Sequence, residues 1–174
     1  PNWALELYQQ ANARLHRQGQ RHPVIAHHLV VQGGMDMAVV AALHDKGDTQ
    51  EALMQAQQTA GRLGKPEISS LDVLVALLEQ EGGILSPILR KASCDPGLLL
   101  QAAQREVSHE PTQSGATTQP QMGRDLATVM QAAEEERKKL KDDYLSVEHF
   151  MLGALDTQNK VHQLTDTFGL TKDN

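Results

Sequence analysis

Apolar positions recur along this chain at helical spacing, and they do so twice in the same order. Residues Ile68 to Glu79 align without a gap against Leu145 to Asp156, 77 positions on, and Leu53, Ala56 and Leu63 upstream match Met130, Ala133 and Leu140. A repeat is read first because each copy is one supersecondary unit that buries its apolar face against the other. Both copies predict a long amphipathic helix, a short loop and a strongly apolar helix opened by a serine. The long helices are expected at Thr49 to Leu63 and Asp125 to Leu140, with apolar or small faces at Leu53, Ala56, Ala60 and Leu63 and at Leu126, Val129, Met130 and Ala133. Asp48 or Thr49 is the expected N-cap of the first, and Gly64 with Pro66 ends it. The run Glu134-Glu135-Glu136-Arg137-Lys138-Lys139 sets opposite charges at helical spacing and reads as a solvated face.

The apolar helices start at Ser69 or Ser70 and at Ser146, where a serine oxygen accepts from free first-turn amides. Because they are apolar most of the way round, Val73, Leu74, Leu77, Leu78, Phe150, Met151, Ala154 and Leu155 are the expected core. A third helix follows in each copy, Ile84 to Ala92 and Lys160 to Phe168. A fourth follows in the first copy, with Asp95 as N-cap and Pro96 at the first helical position. The sequence ends at Asn174, before a fourth helix of the second copy. Ser108 to Met122, with Pro111, Gly115 and Pro120 and no apolar periodicity, reads as a flexible connector. The division expected is an extension over 1–47 and a domain over 48–174, with repeat one at 48–108, a linker at 109–123 and repeat two at 124–174. The fold class is all-α, a pseudo-twofold bundle of two repeated helical units behind an N-terminal helical extension.

In the extension, Trp3, Leu7, Ala11 and Leu15 mark an amphipathic helix and Met35 to Leu43 another. Val24 to Val31 can be laid over Leu145 to Leu152, which hints at a third, degraded copy; the rivals are an unrelated helical extension or sequence foreign to the domain.

Composition narrows the function classes. At 174 residues, 40% hydrophobic, 3% aromatic and 22% charged, with a formal net charge of -6, this is an acidic protein without the basic surface or stacking platforms of a nucleic-acid binder. No apolar run reaches the roughly 18 residues that span a bilayer, so no membrane partner is expected. The single cysteine, Cys94, excludes an intrachain disulfide, fits a reducing cytoplasmic setting, and has no neighbouring base that would make it a nucleophile. Phosphate-binding GxxxxGK and nucleophile-elbow GxSxG patterns are absent, so neither nucleotide hydrolysis nor acyl transfer is expected, and no cofactor is called for. His16, His22, His27, His28 and His44 cluster in the extension, but with no HExxH or paired CxxC they read as solvated or packed histidines rather than metal ligands.

Asp142, Asp143 and Glu148 frame the turn into the second apolar helix, with Tyr144 between them. One reading is local: an acid ending the preceding helix, and an acid in a first turn where negative charge complements the dipole. The other is an acidic lip beside an apolar groove, holding backbone amides or basic residues of a bound peptide. Asp142, Glu148, Tyr144 and Met130 are the candidate substrate-binding residues.

Two stretches are familiar as well as periodic. Thr49-Gln50-Glu51-Ala52-Leu53, then Ala56, Gly64, Ile68 and Leu74 to Gly83, resemble the first half of the N-terminal domain of Clp-family AAA+ chaperones; Asp142 to Leu155 resembles the second half, with its "yvSxEHLLLAL" string. The resemblance covers about Asp48 to Leu170, and Gln80-Glu81-Gly82-Gly83 is most similar to the ClpB, or disaggregase, branch. It implies a pseudo-twofold bundle of about eight helices, a monomer in isolation, ahead of a homohexameric ATPase. It also implies recognition of exposed apolar segments of unfolded or aggregated clients without catalysis, with Asp142 and Glu148 on two acidic positions used for client handling. Lys46 stands where that branch usually has a threonine, and Asp45 where an apolar residue is common. Rival readings are adaptor or co-chaperone docking, as in ClpA- or ClpC-like proteins that feed a protease, and a free-standing regulator or minor enzyme using the histidine-rich extension.

Overall fold

A computed structural model describes residues 35–112 and 119–172, with side chains from residue 48 onward. Seven helices and one short strand pair lie within them: α1 (Met35–Arg62), β1 (Glu67–Ile68), α2 (Ser70–Glu79), α3 (Leu85–Lys91), α4 (Pro96–Ser108), β2 (Gln121–Met122), α5 (Arg124–Leu140), α6 (Val147–Asp156) and α7 (Lys160–Asp166). The expected helix at Trp3 to Leu15, the suggested third copy at Val24 to Val31 and the histidines His16, His22, His27 and His28 lie outside the described residues, as does the side chain of His44.

Both apolar helices begin as the serines predict. Ser69 caps α2 and Ser146 caps α6, each in a reciprocal box that uses the third helical residue, Asp72 in one and His149 in the other. Their apolar faces form the centre: Val73, Leu74, Leu77, Val147, Phe150 and Ala154 are fully enclosed, while Leu155, expected in the core, is half-buried against it. α1 packs chiefly on α2, and α5 on α6. Asp95 accepts from the amides of Gly97 and Leu98, with Pro96 in the first turn, as expected for α4.

The duplication extends to side chains that periodicity does not reveal. Asp48 on α1 accepts from the amide of Ile84 at 3.3 Å, and its counterpart Asp125 on α5 accepts from that of Lys160 at 3.0 Å, so each copy fastens its first helix to the start of its third. After the third helix, Ser93 and Gly169 both take a left-handed turn, with φ of 60° and 68°, and the next residue drops into the core. That residue is Cys94 in one copy and Leu170 in the other, so Cys94 is a packing residue; burial, with Asp95 alongside, pushes its thiol up.

Three expectations need correction. α1 does not begin at Asp48 or Thr49 but runs through them from Met35, and the Asp48 carboxylate accepts from the Ile84 amide at the start of α3. Glu136 is not part of a solvated face: it is 6% exposed, with ammonium groups of Lys139 and Lys172 at 2.6 and 3.0 Å. Those hydrogen bonds, Lys139 first and Lys172 next, hold its carboxyl below the usual glutamate value. The connector ends in β2, which pairs in parallel with β1, Glu67 opposite Gln121 and Ile68 opposite Met122.

Candidate functional site

The turn from α5 into α6 is built by one backbone reversal. α5 closes at Lys141, whose φ of 61° is left-handed; the same place in repeat one is held by Gly64, with φ of 66°. A side chain in this conformation is strained by contact between Cβ and the carbonyl, which glycine avoids. Lys141→Gly is therefore expected to raise stability by about 0.5–1 kcal/mol, read as a higher urea midpoint at unchanged m-value. An unchanged midpoint would mean the lysine side chain offsets the strain.

The reversal brings Asp142 over the start of α6. Its carboxylate lies 3.0 Å from Nε2 of His149. The imidazole is buried, and its Nδ1 accepts the Ser146 amide at 3.0 Å with the Ser146 hydroxyl 2.7 Å away. Since Nδ1 accepts from a backbone N–H, the neutral ring carries its proton on Nε2 and donates it to Asp142. Arg137 donates to the carbonyl of Asp142 and is itself gripped by Glu134 through two nitrogens at 2.7 Å. The Asp142 side chain is thus oriented from below yet 55% exposed. This sequence of Ser146, His149 and Asp142 is not a nucleophilic triad, because Ser146 is buried and its oxygen is the cap of α6.

Tyr144, 48% exposed, lies in the same turn, and Leu140, 53% exposed, is the last residue of α5 beside it in sequence. Glu148 is exposed in the first turn of α6, where the helix dipole alone would favour it. Met130 is not brought to this turn: it lies ten residues before Leu140 on α5, roughly 15 Å along the axis, half-buried against the core. The clefts described in the structure have other linings. One of about 480 Å³ is bordered by Leu71, His109, Glu110, Lys160 and Leu164, and one of about 350 Å³ by Ala56, Thr59, Leu63, Val75 and Val107.

The repeat-one counterpart of this turn was missed by sequence reasoning. Lys65 stands at the place of Asp142, Ser69 at that of Ser146 and Asp72 at that of His149, so the same scaffold holds a pair of opposite polarity. Lys65 reaches Asp72 at 2.5 and 2.6 Å and also contacts Glu110 from the end of α4; all three side chains are at most 8% exposed. Ser69 donates to Glu110 at 3.1 Å, and Lys160 from α7 meets its other oxygen. Repeat one therefore buries its charges, whereas Asp142 stands open. Doubling the 77-residue register onto Lys65 and Asp72 could have found this pair; nothing local marks Glu110.

Comparison with known proteins agrees with the fold. The profile of the Clp repeat (R) N-terminal domain matches residues 47–167. The chain is 36% identical over 121 residues to the chaperone protein ClpB of Mycobacterium tuberculosis, covering 70% of this chain but 14% of the chaperone's length. Among solved structures it resembles the Hsp104 N-terminal domain from Candida albicans, with a TM-score of 0.63 at 18% identity over 71% of this chain and 81% of that one. It also resembles a ClpV N-domain in complex with a VipB peptide, with a TM-score of 0.59 at 16% identity over 88% and 91% of the two chains. Profile, identity and fold converge on one family: this chain belongs to the Clp repeat N-terminal domains.

Proposed function

We propose that this domain recognises exposed apolar segments of unfolded or aggregated proteins for a ClpB-like AAA+ disaggregase, by binding and not by catalysis. Asp142 is the observation that carries the reading: a carboxylate oriented by a buried histidine, left open to solvent, and followed two residues later by an exposed tyrosine. An oriented acid beside apolar side chains suits an extended peptide, whose amides and cationic side chains meet the acid while its apolar side chains meet the rings and methyls. Asp142, Tyr144 and Glu148 are the contact residues in this reading, with Leu140 added and Met130 peripheral. The 1–47 extension and the ATPase ring to which clients pass belong to the proposal as well.

A fluorescently labelled, permanently unfolded protein titrated with the domain tests this. Weak binding is expected, and Asp142→Ala and Glu148→Ala each weaken it by about fivefold, roughly 1 kcal/mol, the size of an ordinary contact residue. Equal affinity in the variants would remove those residues from the account. The second reading, docking of a folded partner, is favoured by the likeness to a ClpV N-domain that holds a VipB peptide. It predicts no affinity for the unfolded probe.

A further inference from the structure

The turns that close α1 and α5 share one backbone and differ in the side chains around it. In each, an amide reaches back five residues, from Lys65 to the Ala60 carbonyl at 2.9 Å and from Asp142 to the Arg137 carbonyl at 3.1 Å. In each, the residue between is left-handed, Gly64 in one and Lys141 in the other, an arrangement that favours glycine. The 77-residue register pairs Gly64 with Lys141, Ala60 with Arg137 and Gln57 with Glu134. Where the turn has glycine, the residue four before it is an alanine enclosed in the core. Where it has lysine, that residue is an arginine whose side chain reaches over the turn.

We infer that Arg137 is a positioning residue of the client site: braced by Glu134, it holds the Asp142 carbonyl and so keeps the reversal at Lys141 closed, with the Asp142 carboxylate over His149. Its three nitrogens are divided between the two tasks. Nε and Nη2 meet the two oxygens of Glu134 at 2.7 Å, and Nη1 donates to the Asp142 carbonyl. A rigid fork can do both at once, whereas a lysine ammonium is a single point. The hydrogen bond from Arg137 is the main reason the Glu134 carboxyl is held down at about 2, so the brace stays ionised at neutral pH. Repeat one manages without it: Gly64 makes the reversal unstrained, and the Gln121 amide ties the Pro66 carbonyl just beyond at 3.0 Å. Charge and position predict opposite signs. Arg137 also attracts Asp142 and Asp143 through space, so by charge alone its removal leaves a more acidic lip and strengthens binding of cationic segments. By position its removal weakens binding, because the acid is no longer held in place. The consequence for clients rests on the function proposed above; the hold on the turn does not.

The full chain and four variants test this with two readouts. The first is solvent exchange of the His149 Nε2 proton by NMR, with the Phe150 amide as the reference for global stability. Arg137→Met is expected to speed that exchange by about fivefold, and Arg137→Lys, which keeps the cation but not the fork, to do nearly the same. Adding Lys141→Gly to Arg137→Met is expected to restore it, since glycine holds the reversal without a brace, while Lys141→Gly alone leaves it unchanged. The second readout is affinity for the labelled unfolded protein, expected to fall about threefold in Arg137→Met and to recover in the double variant. Unmoved exchange at His149 in Arg137→Met would overturn the positioning role. So would tighter binding, which assigns Arg137 to charge alone, or a loss that Lys141→Gly does not repair, which makes it a direct client contact. If the parent does not bind the probe, the proposed function falls, and exchange at His149 still decides the positioning.

Discussion

Lys65→Met is expected to lower stability by about 3 kcal/mol at pH 7, because it removes the one buried cation from between two buried carboxylates. Methionine keeps the length and most of the apolar contact of the lysine stem, so little of the loss is packing. What remains is Asp72 facing Glu110, with Lys160, 44% exposed, as the only other ammonium contacting Glu110 among the described residues. The sign of the pH dependence follows from Glu110. Burial pushes its carboxyl up, but hydrogen bonds from Lys160 and Lys65, the Lys65 charge and the Ser69 hydroxyl together hold it below the ordinary glutamate value of 4.5. A depressed folded-state value means stability that is present above the unfolded value and is lost as pH falls through the folded one. The parent therefore weakens below about pH 4.5, while Lys65→Met, deprived of that support, has less to lose. Urea unfolding at pH 7 and at about pH 4 should show the gap between parent and variant narrowing in acid. A gap that stays constant would show that Lys65 acts through packing.

Much of this fold is legible in the sequence because its determinants are local. Ser69 and Ser146 cap helices through residues three positions away, and Asp95-Pro96 opens α4 within a single turn. The core residues Leu74, Leu77, Phe150 and Ala154 lie on stretches apolar enough to be buried whatever packs on them. What escaped depends on partners far along the chain. Lys65 meets Glu110 across 45 residues, and β1 meets β2 across a connector without periodicity. Glu136 looks solvated among its neighbours until Lys172, 36 residues on, covers it. Asp48 is a good N-cap by type, yet its carboxylate is taken by Ile84, and the helix continues through it.

The candidate site was half legible for the same reason. Asp142, Tyr144 and Glu148 are close in sequence, the first two in the turn between α5 and α6 and the third in the first turn of α6. Their orientation was not readable, since it comes from His149, which a family string treats as one letter and the structure uses as both the second half of a capping box and the ligand of Asp142. Setting the two repeats side by side adds a physical reason for proposing the site in the second copy. One scaffold of three positions, a residue, a capping serine four later and a polar residue three after that, carries Lys65 and Asp72 in the first copy and Asp142 and His149 in the second. The first is closed by Glu110; the second leaves an acid exposed.

The same comparison explains a close helix contact and the second large effect. Gly153 on α6 corresponds to Ala76 on α2, and Val129 and Ala133 on α5 correspond to Ala52 and Ala56 on α1. Repeat one spreads small residues over both helices; repeat two concentrates the space at one glycine. A Cβ added at Gly153 would stand 2.5 Å from the Ala133 nitrogen and 2.9 Å from both the Ala133 Cα and the Val129 carbonyl oxygen. All three are backbone atoms of α5, so no rotamer change relieves the overlap and the helices must move apart. That opens the packing of Val147, Phe150 and Ala154, which are fully buried. Overpacking of this kind costs typically 1–3 kcal/mol and more where backbone must shift, whereas replacing glycine by alanine in a helix returns at most about 1 kcal/mol. Gly153→Ala is thus expected to destabilise by about 2–3 kcal/mol net, against the usual benefit of the substitution, with Gly153→Val worse. The control is Ala76→Gly, which creates no overlap and should cost only about 1 kcal/mol. Urea midpoints for the three variants test the close approach directly: a Gly153→Ala protein as stable as the parent would mean that α5 and α6 are not this near.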